Sequence, residues 1–276
     1  MGGKGRPGPR QPLSQRRPAA ALRKGPGARP LASVPEAAVR RPKPAASRSG
    51  KPGSERTGGA RHAPAGRRRD HAAEVYRRLV AVYPDAHCEL DYGDAWQLLV
   101  ATIMSAQCTD KRVNMVTPSL FRAWPNPEAL SAARQEDVEE IIRSTGFFRN
   151  KARNLIAMSG ALHDRHGGQV PASMEALVAL PGVGRKTANV VLGNACGVNE
   201  GVVVDTHVQR LSKRLGLSRE KDPVKVERDL MQLFERDRWT QVSHLLIWHG
   251  RRLCHARKPL CEQCPLADIC PSAGTG

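Results

Sequence analysis

The sequence predicts an all-α fold preceded by a long basic tail. Three observations carry that prediction. Apolar residues recur at helical spacing from about residue 70 almost to the end. Alternation of strand type is almost absent, apart from a short run at Val202-Val203-Val204. Residues 1–70 contain no Phe, Trp or Tyr, yet hold 11 of the 21 prolines and 11 of the 25 glycines. Such a segment cannot bury enough apolar surface to offset its ordering entropy, and it is expected to be disordered. The rest of the 276-residue chain suffices for one large domain or two small ones, and with 40% hydrophobic residues it can bury a real core.

The helices follow in order. Val75, Leu79, Val80 and Val82 form one apolar face. Asp94 is a candidate N-cap for a helix through Trp96, Leu98, Leu99, Thr102, Ile103 and Met104. Asp110 is a candidate cap for the next, which Pro118 should kink or divide. Residues 136–143 and 152–166 read as two more, with Gly146 between them and Gly167-Gly168 stopping the second. A short one over 172–179 ends at Pro181. Residues 186–195 present a small apolar face, and 206–215, 224–234 and 242–252 complete the set.

The net charge of +18 sits mostly on the tail. Residues 1–70 hold 18 Lys/Arg against 3 Asp/Glu, whereas residues 71–276 hold 26 against 23. A basic arm suits a polyanion, and DNA is the obvious one. A solubilising tail without a fixed partner stays open beside it, as does an organelle transit peptide. No apolar run is long enough for a signal peptide or a membrane helix, so no membrane partner is expected.

Four of the seven cysteines, Cys254, Cys261, Cys264 and Cys270, crowd into 17 residues with 6, 2 and 5 residues between them. Cys88, Cys108 and Cys196 stand alone in apolar patterns. This is not a spread disulfide framework; it reads as an intracellular protein with one metal site. Structural zinc usually uses two short pairs far apart. One C-x2-C flanked by longer loops is more like four thiolates wrapping a [4Fe–4S] cubane, with zinc as the alternative. Arg257 and Lys258 in the first loop either touch DNA or compensate the thiolates.

Upstream stands Leu180-Pro181-Gly182-Val183-Gly184-Arg185-Lys186 between two short helical patterns. Glycines allow a tight turn and a close phosphate, and the free N–H groups of the following helix start make an anion site. That is the pattern of a helix-hairpin-helix contact to a DNA backbone, in which Gly182, Val183, Gly184 and Arg185 would meet the phosphate. Lys186 follows at the helix start, where the macrodipole and Arg185 both disfavour a cation. Such a place suits an amine nucleophile; spacing alone allows equally a lysine that pairs with phosphate. Asp205, in Val204-Asp205-Thr206-His207, is a helix cap that can also face a cleft as base or charge partner. Ser105 to Asp110, with Gln107 at its centre, reads as a polar loop. Gly146-Phe147-Phe148 places two aromatics at a turn, as core or as an exposed wedge.

Together these segments resemble the endonuclease III family of DNA base-excision glycosylases, within the helix-hairpin-helix superfamily. The resemblance covers roughly residues 71–272. It rests on L-P-G-V-G-R-K-T-A-N-V-V at 180–191, V-D-T-H at 204–207 and the cysteine spacing. It implies two helical lobes flanking a DNA cleft: a barrel lobe over 91–204, with the hairpin at about 173–195, and a cluster lobe joining 71–90 to 205–276. It implies Lys186 as nucleophile, Asp205 as catalytic carboxylate and a flipped, oxidised or ring-saturated pyrimidine as substrate. An imine intermediate and strand cleavage by β-elimination would follow. Gln107 matches the residue that fills the vacated helix space, and Phe147 falls at the wedge position, where the family usually carries a smaller residue. The partner is duplex DNA with damaged bases or abasic sites, bound by a monomer. Alternatives within the superfamily are adenine- or thymine-mismatch glycosylases; outside enzymes, a non-catalytic damage-binding protein. An adenine glycosylase would lack a lysine at the position of Lys186.

Overall fold

The computed structural model describes residues 65–275. The expected disordered tail lies outside the described residues, except for its last few. Those already form the first turns of α1 (Ala65–Val82). The helix thus begins earlier than the apolar pattern does, because its first turns are held by polar contacts. Arg68 Nη2 donates to the Leu217 carbonyl at 2.9 Å, and Arg69 Nε donates to that of Gln232 at 3.2 Å.

Eleven α-helices and three 3-10 turns make up the described residues, with no strand among them. They enclose two separate apolar cores. One gathers residues between Leu90 and Leu192; the other joins Ala72, Val75, Leu79 and Tyr83 of α1 to residues between Val202 and Leu266. The chain therefore starts in one core, builds the other, and returns.

Helix α2 (Ala95–Met104) is the axis of the first core, with Leu98, Leu99 and Met104 fully buried. Each such side chain contributes about 1.5–3 kcal/mol by leaving water. Asp94 caps α2 as expected, accepting from Gln97 N–H at 2.8 Å. Around it pack α3 (Asp110–Ala123), α6 (Phe148–His166) and α8 (Arg185–Ala195). Two short helices support α6: α4 (Pro127–Ser131), too short to leave an apolar period, and α5 (Gln135–Ile142).

Helix α3 departs from expectation at its start. Its cap is Thr109, which accepts from Arg112 N–H at 3.3 Å, and Asp110 is the first helical residue. Pro118 lies inside the helix without dividing it, and the helix runs unbroken to Ala123. Val202-Val203-Val204 is no strand: it is the extended connection back to the second core, where Val203 N–H donates to Ser243 Oγ at 2.9 Å. That core is completed by α9 (Thr206–Arg214), α10 (Pro223–Leu233) and α11 (Trp239–Arg252). Helix α11 packs on α1 and α9 and also meets α8, so it spans the seam between the cores.

Candidate active site and metal centre

The hairpin joins α7 (Met174–Val178) to α8. Leu180 and Val183 anchor the turn in the first core, and Val183 N–H closes it on the Leu180 carbonyl at 3.2 Å. Gly182 is required twice over: its φ is +74°, and a Cβ there would stand 2.8 Å from Asn154 Cβ. Gly184 differs. It has an ordinary φ of −95° with open space around it, so no positive φ explains it. It occupies the N-cap of α8 without a side chain to bond the first N–H groups. Those amides stay available to an anion.

Lys186 is the second residue of α8 and is exposed. Asp205 caps α9, accepting from Val208 N–H at 2.8 Å. Both line one cleft of about 1250 Å³, together with Gln107. A narrower pocket of about 230 Å³ adjoins it and shares Lys186 and Asp205. The expected repulsion of Lys186 by Arg185 is removed: Arg185 is paired with Glu227 through Nε and Oε2 at 2.9 Å. Its role toward DNA is therefore limited to whatever exposure that pairing leaves. His207 also lines the cleft; burial lowers its pKa, and its Nδ1 accepts from Arg210 Nη2 at 3.1 Å.

The cleft is also lined by residues that no motif flagged. Arg251 of α11 pairs with Glu89 and, at 2.8 Å, with Asp110 at the start of α3. Arg252 pairs with Glu89 at 3.0 Å and stacks over Trp248, 3.8 Å from the ring centroid. His87 meets the Trp248 ring edge-on at 5.1 Å. Glu89 and Arg251 are 162 residues apart, so only the fold brings them together. His244, in the narrower pocket, donates from Nε2 to Asn194 Oδ1 at 2.7 Å, and burial pushes its pKa down to about 4.

Three non-glycine residues take left-handed φ among the described residues: Gln107 (52°), Phe147 (47°) and Lys258 (52°). Gln107 and Phe147 belong to the DNA-facing set that the motifs imply, and Lys258 is a candidate beside them. Backbone strain of this kind persists where the surroundings over-determine it, often at functional sites. Phe147 is 65% exposed, which resolves the core-or-wedge alternative in favour of an exposed ring.

The four clustered cysteines lie beside the second core. Cys254, Cys264 and Cys270 pack against it, and Cys261 opens a short 3-10 turn. Burial raises the Cys264 thiol, and the negative charge of Cys254, Cys270 and Cys261 raises it further. Cys270 is raised by burial and likewise by its neighbours Cys254 and Cys261. Thiolates whose charges act on one another in this way repel unless a cationic centre lies among them. Donors face them too: Arg214 Nη1 lies 3.3 Å from Cys254 Sγ. His249 Nε2 lies 3.4 Å from Cys264 Sγ, while Tyr83 Oη lies 3.2 Å from His249 Nδ1. With Cys264 bound to metal as a thiolate, which cannot donate, Nε2 would carry the imidazole proton and Tyr83 would donate to Nδ1. The donor set fits a thiolate-bound metal cluster.

Residues 100–236 match the HhH-GPD superfamily of base excision DNA repair proteins, and residues 254–270 match the iron-sulfur binding domain of endonuclease III. The endonuclease III of Synechocystis is 53% identical over 206 residues, 75% of this chain and 94% of its own. The chain belongs to the endonuclease III family. Endonuclease III of Bacillus subtilis is 46% identical over 190 residues, 68% of this chain and 86% of its own. A solved endonuclease III trapped as a covalent intermediate on DNA superposes with a TM-score of 0.72 at 41% identity, covering 75% of this chain and 97% of that one. A thermostable thymine-DNA glycosylase shares the fold, with a TM-score of 0.65 at 19% identity. The resemblance read from the motifs holds, the cofactor is a [4Fe–4S] cluster and the zinc alternative falls.

Proposed function

We infer that this protein is a bifunctional DNA glycosylase and abasic-site lyase of base-excision repair, acting on oxidised pyrimidines. One observation carries the assignment of the chemistry: an amine at a helix start and a carboxylate at a helix cap line the same cleft, beside a hairpin with free amides. Duplex DNA binds across the cleft with a phosphate on the free amides at the Gly184 cap and the start of α8. Gln107 and Phe147, both on strained backbone at exposed positions, enter the space that the extruded nucleotide leaves.

Lys186 Nζ attacks C1′ of the extruded nucleotide. The bond from C1′ to the base breaks, and the base leaves with its electron pair and takes up a proton. Asp205 stabilises the positive charge that develops on the sugar and accepts a proton from the amine. Loss of the amine proton and opening of the sugar leave an imine. Removal of a C2′ proton then expels the 3′ phosphate, which is the strand break, and water releases the lysine.

Cys254, Cys261, Cys264 and Cys270 would hold the [4Fe–4S] cluster. When bound, the cluster supplies four iron–thiolate bonds that tie the last loop to α11 and the second core. The two apolar cores support a barrel lobe over 91–204 and a cluster lobe over 71–90 and 205–276. The enzyme acts as a monomer on damaged or abasic duplex DNA, in the cytoplasm at the nucleoid, or in an organelle or the nucleus of a eukaryotic cell. No helix among the described residues is long and apolar enough to cross a membrane.

Borohydride trapping on duplexes with one thymine glycol or one abasic site tests this. Lys186→Gln should abolish trapping and nicking while duplex binding survives. Asp205→Asn should slow base release strongly, yet partly spare cleavage of a pre-formed abasic site. A Lys186→Gln protein that traps and nicks at the parent rate means another amine is the nucleophile.

A further inference from the structure

One residue before Lys186, the chain makes a half-buried ionic contact that nothing in the reaction uses directly. Glu227 of α10 is only 5% exposed. Its carboxylate receives both ends of the Arg185 fork: Nε to Oε2 and Nη2 to Oε1, each at 2.9 Å. Asn189, one turn further along α8, donates to the same Oε1 at 2.9 Å from Nδ2. Its own Oδ1 is buried without a partner. Arg185 Nη2 also reaches the Glu200 carbonyl at 3.4 Å. Gly201 makes room for the group, because a Cβ there would fall inside the carboxylate of Glu227 and against the Asn189 amide. The contact thus joins α8, α10 and the connection that runs from Gly201 to Asp205.

A buried ion pair is weak evidence for stability, since well-packed apolar residues often serve as well or better. A bidentate Arg–carboxylate pair has something apolar packing lacks, a fixed direction. Here that direction sets the rotation of α8 about its axis. Lys186 is the next residue on α8, and Asp205 lies four residues beyond Gly201. Both reacting side chains are therefore referred to one carboxylate. The same pairing neutralises the guanidinium beside Lys186.

We propose that Glu227 is a positioning residue for the lysine chemistry: through Arg185 and Asn189 it holds the start of α8 in register with the segment that carries Asp205. The proposal rests on the reading of Lys186 as nucleophile. A misplacement of about 1 Å at a reacting group can lower a rate by about 100-fold. Glu227→Gln keeps the volume and loses the charge. It should slow the step at Lys186 by roughly tenfold or more, with binding to DNA nearly untouched.

The test uses the full-length protein with its cluster, on duplex DNA with one abasic site. It measures single-turnover borohydride trapping at saturating enzyme, duplex affinity and melting temperature. Three proteins accompany the parent: Glu227→Gln, the apolar set Arg185→Met with Asn189→Leu and Glu227→Met, and Lys186→Gln. The expected result is slow trapping by Glu227→Gln at parent affinity. The apolar set should keep the parent melting temperature and remain slow. Glu227→Gln at the parent rate overturns the proposal. So does an apolar set that is both stable and fast, or one whose rate and melting temperature fall together, because the contact is then only structural. Should Glu227→Gln fail to fold, the apolar set decides alone. Persistent trapping by Lys186→Gln refutes the nucleophile assignment instead, whatever the other proteins do.

Discussion

His244 gives the chain a calculable sensitivity to acid. Its imidazole sits beneath the catalytic cleft, donates to Asn194 Oδ1 at 2.7 Å, and is held by burial at a pKa of about 4. In the unfolded chain it titrates near the usual value of about 6.5. Between those two values the unfolded state binds the proton and the native state does not, so stability falls as pH falls. Going from pH 7.5 to pH 5, the linkage relation gives a loss of about 2 kcal/mol from this residue alone. Below about pH 4 both states are protonated and the loss levels off near 3 kcal/mol. His244→Gln retains an N–H donor toward Asn194 and cannot titrate. For a folded region of this size, about 2 kcal/mol corresponds to roughly 4–8 °C in melting temperature. Thermal melts of parent and variant at both pH values isolate the effect from the carboxylates and other histidines they share. The parent should lose roughly 4–8 °C more than His244→Gln on acidification. Equal losses would refute the argument that burial keeps this ring neutral.

Other outcomes follow from the hairpin, the cysteines and the tail. Gly182→Ala forces a left-handed non-glycine backbone, worth roughly 1–2 kcal/mol against it, before the contact with Asn154; melting temperature and DNA affinity should fall together. Gly184→Asp should instead slightly stabilise the start of α8, since Asp is a good N-cap, yet weaken binding to damaged and undamaged duplex by placing an anion where phosphate sits; unchanged affinity in gel-shift titrations counts against the phosphate site. Cys261→Ser should lower iron from about four per chain and give poorly soluble protein, as read by iron analysis and visible absorbance. Deleting residues 1–62 stops short of α1 and should reduce affinity and flatten its salt dependence, with single-turnover cleavage at saturating enzyme nearly unchanged; a tenfold slower cleavage step would show a role for the tail beyond charge.

The helical class, most helix limits and the cluster of landmarks were legible because they depend on neighbours in sequence. Helical periodicity marked α2 and α9 to α11, and the cysteine spacing marked the metal centre. Helix α4 escaped because its Asn126-Pro127 start reads equally well as a turn. Thr109 displaced Asp110 as the cap of α3 because Asp110 is claimed by Arg251, a partner 141 positions away in the chain. The cleft wall of His87, Glu89, Trp248 and Arg251 had no local signature for the same reason. Glu227 looked like any glutamate on an amphipathic helix; only the fold shows that it is buried against Arg185. Lys186 and Asp205 were placed in the candidate set by motif, but their sharing of a cleft required the structure.

The ionic bridges across the seam also say which partner yields when enzyme and duplex meet. Arg251 ties α11 to Glu89 and Asp110, and Glu227 ties α10 to α8. Prising the cores apart would strand buried or half-buried charges at several points at once. These pairs resist widening of the cleft, so a duplex that bends to enter it carries the deformation cost itself. Bending a duplex of 20–30 base pairs costs of order 1–6 kcal/mol, less where stacking is already weak. A duplex with weakened stacking bends at lower cost, so such a cleft favours a softened site independently of any contact to the base.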